Sequence, residues 1–200
     1  MSLRPDQSKI ADWVKPGACV LDLGCGDGEL LAHLGRVRGA TGYGVEIDDA
    51  GVRASIANGI NVIQRDLETG LDEFGDDTFD FVILSQTLQA MKNVDRILRE
   101  MLRVGREGIV TFPNFGYWKH RIQIGINGRM PVSKSLPYQW YDTPNIHLCT
   151  LKDFAALCAR CGGEILEQRV LQNGGEVTWL PNLRGSVGVF RFRRAGARAA

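Results

Sequence analysis

The stretch Ala18–Leu31, ACVLDLGCGDGELL, decides the fold. Its first half is a continuous apolar run, the signature of a strand buried on both faces of a parallel sheet. Three glycines follow, Gly24, Gly26 and Gly28, and then the amphipathic helix GELLAHLGRV. A glycine turn between a parallel strand and a helix lies at the carboxyl edge of a sheet, where open α/β folds bind ligands. The absence of Cβ atoms lets backbone and ligand approach closely.

Outward from this turn, strands and helices alternate. TGYGVEI, INVIQRDL, FDFVILSQ and EGIVTFPN read as strands; Ser8–Val14, DAGVRASIAN and NVDRILREMLRVG read as helices; LDEFGDDT reads as a loop. Strict alternation demands crossover connections and a mostly parallel sheet. TLKDFAALCARCGG predicts a helix capped by Thr150 and stopped at Gly162. The last strands, EILEQRVLQ and SVGVFRFR, are joined by a loop containing NGG and are expected to pair antiparallel. The prediction is one doubly wound α/β domain over 1–200, with seven strands, and a small, basic, frayed tail over 194–200. Between them, 115–149 breaks the rhythm, with Phe115, Tyr117, Trp118, Tyr138, Trp140 and Tyr141 interspersed with Lys119, Arg121, Arg129 and Lys134. An insertion of this kind is expected to be a lid or a partner surface.

Composition narrows the function. With 24 Lys+Arg against 23 Asp+Glu, the net charge of +1 gives no global field to gather nucleic acid or an anionic membrane. No apolar run is long enough to span a bilayer, and the start carries no signal-peptide core, so a cytoplasmic protein is expected. The five cysteines, Cys19, Cys25, Cys149, Cys158 and Cys161, are odd in number and scattered, which argues against a disulfide framework. His147, Cys149, Cys158 and Cys161 could in principle assemble a zinc site. Cys158 and Cys161 nevertheless share one face of FAALCARC and read as small buried thiols, so no metal is expected.

The spacing of the turn is G-x-G-x-G, whereas the dinucleotide fingerprint is G-x-G-x-x-G. Asp22 precedes the turn and Asp27 lies within it, charges that repel a pyrophosphate and attract an ammonium or sulfonium. Glu46, ending YGVEI, is placed to accept hydrogen bonds from both ribose hydroxyls. An adenosine with a cationic tail, S-adenosylmethionine, satisfies these features. VLDLGCGDG, GVEID and VIQRDL together resemble the motifs of class I S-adenosylmethionine-dependent methyltransferases over about residues 10–114 and 150–193. The resemblance implies a cofactor set of Asp22, Gly24, Cys25, Gly26, Glu46, Ile47, Asp66, Leu67 and Ser85, for S-adenosylmethionine or S-adenosylhomocysteine. In it, Asp66 reaches the adenine amino group, Leu67 offers a backbone N–H to adenine, and Ser85 lies near the methionine moiety. Asp66 also reads as a helix N-cap.

Candidate bases are few. His33 reads as an ordinary helix-surface residue, leaving His120 and His147, the latter equally suited to a structural hydrogen bond. LSQTLQ follows the fourth strand in place of the Asn/Asp-Pro-Pro-aromatic turn of enzymes that methylate exocyclic or amide nitrogens. Over nearly the whole chain, VLDLGCGDGELL, RDLE, DFVILSQTLQAM and NIHLCTLKDF resemble the MetW family of methionine biosynthesis. That resemblance implies a role linked to a separate homoserine O-acyltransferase, acetyl or succinyl, as partner. The alternative is an active methyltransferase on a small molecule. The aromatic insertion is read as the partner surface or a lid rather than a nucleic-acid site.

Overall fold

The structure, a computed structural model, describes residues 3–197. In chain order the elements are α1 (Pro5–Trp13), β1 (Cys19–Leu23), α2 (Glu29–Arg38), β2 (Thr41–Glu46), α3 (Asp49–Ala57), β3 (Val62–Gln64), β4 (Phe79–Ser85), α4 (Val94–Val104), β5 (Gly105–Pro113), α5 (Trp118–Gly125), α6 (Leu151–Arg160), β6 (Gly163–Gln172), β7 (Gly175–Glu176), α7 (Pro181–Arg184) and β8 (Val187–Arg194). Short 3-10 turns, Leu67–Thr69 and Leu88–Ala90, follow β3 and β4.

The sheet order is β3-β2-β1-β4-β5-β8-β6-β7. β1 to β5 pair in parallel, and β8 runs antiparallel to both β5 and β6. The seven expected strands are present. β7 adds a two-residue eighth at the edge, because Asn173 and Gly174 at φ +50° and +82° form a tight turn that folds the chain back on β6 before β8 begins.

Side chains along the central strands β1, β4, β5 and β8 alternate between two cores. Leu21, Val82, Leu84, Val110, Phe112, Phe190 and Phe192 pack with α4 and α6; Val20, Phe81, Ile83, Ile109 and Val189 pack with α1 and α2. Burial on both faces is why these strands read as unbroken apolar runs. By the same alternation Asp22, Ser85 and Thr111 project toward the α1 face. Fully burying each aliphatic or Phe side chain contributes roughly 1.5–3 kcal/mol.

Several boundaries differ from the sequence reading. α1 begins at Pro5, three residues early, with Pro at a first-turn position and the Arg4 N–H donating to Gln7 Oε1 at 3.0 Å. β3 ends at Gln64, because Asp66 turns the chain into the 3-10 segment. The insertion contains α5, which lacks a side-chain cap to announce it. Of the tail, Arg194 ends β8 paired with Gly163, and the Ala195 N–H donates to Gly162 O at 2.9 Å; residues 198–200 lie outside the described residues. Among the described residues, no helix is long and apolar enough to cross a membrane.

Candidate functional site

The glycine turn hangs from β2. Gly24 N–H and Cys25 N–H both donate to Val45 O, at 2.8 and 3.1 Å. Gly24 has φ +71°, and a Cβ there would stand 2.7 Å from Thr87 Oγ1, so the turn and the segment after β4 pack backbone to side chain. Gly26, at φ +58°, has nothing within 4 Å of its would-be Cβ, leaving that side of the turn open to a ligand. Ser55 Oγ donates to Gly26 O at 2.9 Å and Asn58 Nδ2 to Asp27 O at 2.8 Å, fixing the loop from α3. Asp27 Oδ1 accepts the Glu29 N–H at 3.0 Å, within the first turn of α2.

Glu46 locks the turn to its neighbours. Oε2 accepts Gly26 N–H at 2.8 Å, while Oε1 accepts Ile47 and Asp48 N–H at 2.8 and 2.9 Å. A carboxylate offers about four acceptor positions. Three are taken by backbone, so one ribose hydroxyl can be accepted on Oε2 without rearrangement, and a second requires one backbone bond to yield. Ile47 is exposed beside it. The Arg65 N–H donates to Glu46 O at 2.9 Å, which brings Asp66 to the same edge; its Oδ1 accepts Glu68 N–H at 2.9 Å. Asp66 is thus a cap on an exposed side chain, and Leu67 opens a 3-10 turn whose first N–H groups have no partner inside the turn. Cys25 points inward: its Sγ contacts Ser55 Oγ at 3.6 Å, and burial pushes the thiol up to about 11. Only its backbone faces the turn's open side.

Asp22 is held differently from Glu46 and Asp66, whose carboxylates bond backbone N–H groups. It is 2% exposed, and among the described residues its Oδ1 has no hydrogen-bond partner. Burial pushes its carboxyl up to about 7, against the attraction of Arg4, with Glu46 adding repulsion. A buried acceptor left unpaired costs about 1–3 kcal/mol, and more when charged. A cationic group delivered there relieves that cost.

Beside it, Ser85 sits in a network the sequence reading missed. Thr111 Oγ1 and Ser85 Oγ donate to Asp6 Oδ2 at 2.9 and 3.3 Å, and Arg4 Nη2 donates to Ser85 Oγ at 2.8 Å. Gln86 follows at φ +58°, with its N–H bonded to Thr111 O at 3.0 Å. A non-glycine residue held in the left-handed region is the kind of strain found at ligand sites. The available signal was RPDQ, a Pro-initiated helix start, which places Arg4 and Asp6 ahead of the predicted helix.

The two histidines lie elsewhere. His120 is fully buried among Phe115 and Tyr117, its Nε2 2.9 Å from Ser133 Oγ, and burial lowers its pKa. It has no open face toward the glycine turn. His147 Nε2 lies 3.3 Å from Lys92 O, lining a groove of about 630 Å³ between α4 and α6 that Cys149 and Cys161 also line. Burial pushes Cys149 up to about 12 and Cys158 up to about 11, and all five thiols are unpaired. Among the described residues, no group of three or more His, Cys, Asp or Glu is arranged to hold a metal ion.

The strand order and the edge-bound glycine turn define the α/β fold of S-adenosylmethionine-dependent methyltransferases. A solved enzyme of that description from Mesorhizobium loti superposes with a TM-score of 0.71 at 18% identity, over 96% of this chain and 98% of its own. The family model "MetW: Methionine biosynthesis protein MetW" matches residues 4–192. The chain belongs to the MetW family and to methionine biosynthesis. A bifunctional methionine biosynthesis protein MetXA/MetW of Rhodopirellula baltica is 36% identical over 97% of this chain, which spans 33% of that relative. A ubiquinone/menaquinone biosynthesis C-methyltransferase of Vibrio vulnificus is 32% identical over 47% of this chain and 39% of its own length.

Proposed function

We propose that this chain binds S-adenosylmethionine or S-adenosylhomocysteine at the glycine turn and acts as the partner subunit of a homoserine O-acyltransferase. The observation that carries the partner reading is the insertion. Trp140 and Tyr141 are 72% and 71% exposed and form an edge-to-face pair with ring centroids 5.7 Å apart. Ile126 is 78% exposed, with Trp118, Met130 and Tyr138 also exposed. Large solvent-facing aromatics beside Arg121 and Arg129 match the composition of interface hot spots. The Rhodopirellula relative, which joins MetXA and MetW in one chain, supports physical association of the two.

Two features favour a partner over a methyl-transferring enzyme. Asp6 of α1 stands over the ends of β4 and β5 and satisfies Ser85 and Thr111 internally. Both histidines considered as bases are committed to Ser133 and to the Lys92 carbonyl. A ligand-responsive subunit needs a difference in affinity between two states, and no base.

Coexpression with the acyltransferase, followed by size-exclusion chromatography and an acyl-transfer assay, tests this. Coelution and raised activity are expected. Replacing Trp140 and Tyr141 by Ala should weaken association by upward of about 2 kcal/mol while S-adenosylhomocysteine affinity is retained. Independent elution with unchanged acyltransferase activity overturns the partner reading. Lost cofactor binding in an intact complex identifies a lid instead.

A further inference from the structure

We propose that the groove between α4 and α6 is a second ligand site, which takes a monocarboxylate borne on an apolar body and holds the carboxylate between Arg99 and Arg160. The site is independent of the glycine turn. α4 and α6 cover the sheet face built by Leu84, Phe112 and Phe190, whereas the turn leads into α2 on the opposite face. The groove has a volume of about 630 Å³, within the range of pockets that take small molecules. Leu88 and Phe154, both buried, form its floor. Val94, Cys149 and Leu157 form its walls; they pack on the same core and stay only partly buried. The core is thinly covered at this point, so an apolar body that settles there removes further apolar surface from water.

The charges around this groove select the head group. Arg103, Arg169, Arg191 and Arg194 are each held by a carboxylate. Arg99 of α4 and Arg160 of α6 both line the groove, and among the described residues neither guanidinium has a carboxylate or carbonyl partner. The two meet at one end. Cys161 Sγ donates to Asp95 O at 3.7 Å, which sets the end of α6 beside the first turn of α4, and Arg99 follows Asp95 by one turn. Burial raises the Cys161 thiol above its ordinary value; Arg99 and Arg160 oppose that shift and Asp95 adds to it, so all three charges act at this one point. Of the two carboxylates that line the groove, Asp153 stands seven residues before Arg160, about 10 Å away along α6, and accepts the Thr150 N–H at 2.9 Å. Lys92 lies next to Glu68, which accepts its backbone N–H. The arginine end therefore holds two cations against Asp95 alone. A carboxylate neutralises the remaining charge and matches the guanidinium fork, whereas the second charge of a phosphate dianion is repelled by Asp95.

Titration of the full, isotope-labelled chain with 4-phenylbutyrate, followed by NMR, tests the site. Shifts centred on the amides of Leu157 and Cys161 are expected, with Arg99→Gln and Arg160→Gln each weakening the probe about tenfold. Phenylbutanol, the same body without the charge, should bind more weakly by a similar factor. Arg36→Gln removes a cation from the exposed side of α2, outside the groove, and should leave the affinity unchanged. Leu157→Asn keeps both arginines and spoils a wall, so it should weaken acid and alcohol alike. Arg99 and Arg160 are exposed, and thermal unfolding of their variants should match wild type. Absence of shifts in wild type, or equal affinity for acid and alcohol, overturns the site. Equal weakening by Arg36→Gln reduces the effect to overall charge and overturns it too. Tighter binding of phenyl phosphate overturns the choice of a carboxylate. Displacement of the probe by S-adenosylhomocysteine, with shifts at Gly24 and Gly26, moves the probe to the glycine turn and overturns the groove.

Discussion

Asp22→Asn should make the ligand-free protein more stable and the ligand-binding protein worse. The Asp22 carboxyl, ordinarily near 3.8, is pushed up to about 7 by burial. One pKa unit corresponds to about 1.4 kcal/mol, so keeping this carboxylate ionised above pH 7 costs the fold roughly 4 kcal/mol. Because the folded pKa exceeds the unfolded one, the folded chain binds more protons between about pH 4 and 7. Stability therefore falls as pH rises through that window and levels off above it. Asn removes the charge but brings an amide with few partners, returning about 1–3 kcal/mol; a net gain of about 1–3 kcal/mol at pH 8 is expected. At pH 5 the wild-type carboxyl is already neutral in the fold, and the advantage of Asn shrinks by about 2–3 kcal/mol, a change in relative melting temperature of roughly 5–10 °C. Urea and thermal unfolding at pH 5 and pH 8 measure this. A ligand that needs the ionised carboxylate must also displace its proton, so wild-type affinity for S-adenosylhomocysteine should fall about tenfold between pH 8 and pH 6, a dependence Asn abolishes along with most of the affinity. An equal stability difference at both pH values, or a variant less stable at pH 8, refutes the burial argument; pH-independent wild-type binding refutes the role of the charge.

Glu46→Gln replaces one acceptor oxygen with a donor. With the remaining oxygen kept on Ile47 and Asp48, the new amide faces the Gly26 N–H. A loss of about 1.5–3 kcal/mol in ligand-free stability is expected together with weaker S-adenosylhomocysteine binding; urea unfolding unchanged from wild type would show that Glu46 does not anchor the turn. Gly42→Ala attacks the sheet itself. Gly42 has φ +143°, and a Cβ there would lie 1.8 Å from Val20 O, a backbone atom of the paired strand. The clash should exceed about 4 kcal/mol, seen as loss of soluble protein or a large drop in melting temperature; a melt near wild type would contradict the close approach of β1 and β2.

The α/β order was legible because burial on both faces leaves a strong local trace: β1 carries Val20, Leu21 and Leu23, broken only by Asp22, and Phe81 to Leu84 in β4 are apolar without interruption. Glu46 and Asp66 were legible as edge residues, because strand ends and glycine turns are local patterns. Their backbone bonds were not, since a carboxylate ending a strand reads alike whether it waits for a ribose or holds Gly26. Arg4 and Asp6 were missed for a different reason. Their partners Ser85 and Thr111 lie 79 to 105 positions away, and nothing near Arg4 points to them. His120 shows the limit in the other direction: in WKHRIQIG it reads as available, and only the packing of Phe115, Tyr117 and Ser133 removes it from solvent.

The pattern of satisfied and unsatisfied groups at the sheet edge has a physical logic. Glu46, Asp66 and Asp27 bond backbone N–H groups at the ends of helices and turns, so the turn keeps its shape before any ligand arrives. A preorganised site does not spend binding energy on ordering its own loop. Asp22 is held differently. Buried at the end of β1 with an open oxygen, it is the place where the fold gives up stability that a cationic ligand can restore. Affinity at this edge should then depend on charge delivered to Asp22, while Glu46 selects for hydroxyls at the far end. A neutral adenosine would use one half of that arrangement, and a free amino acid the other. A molecule carrying both ends is the one that engages all of it.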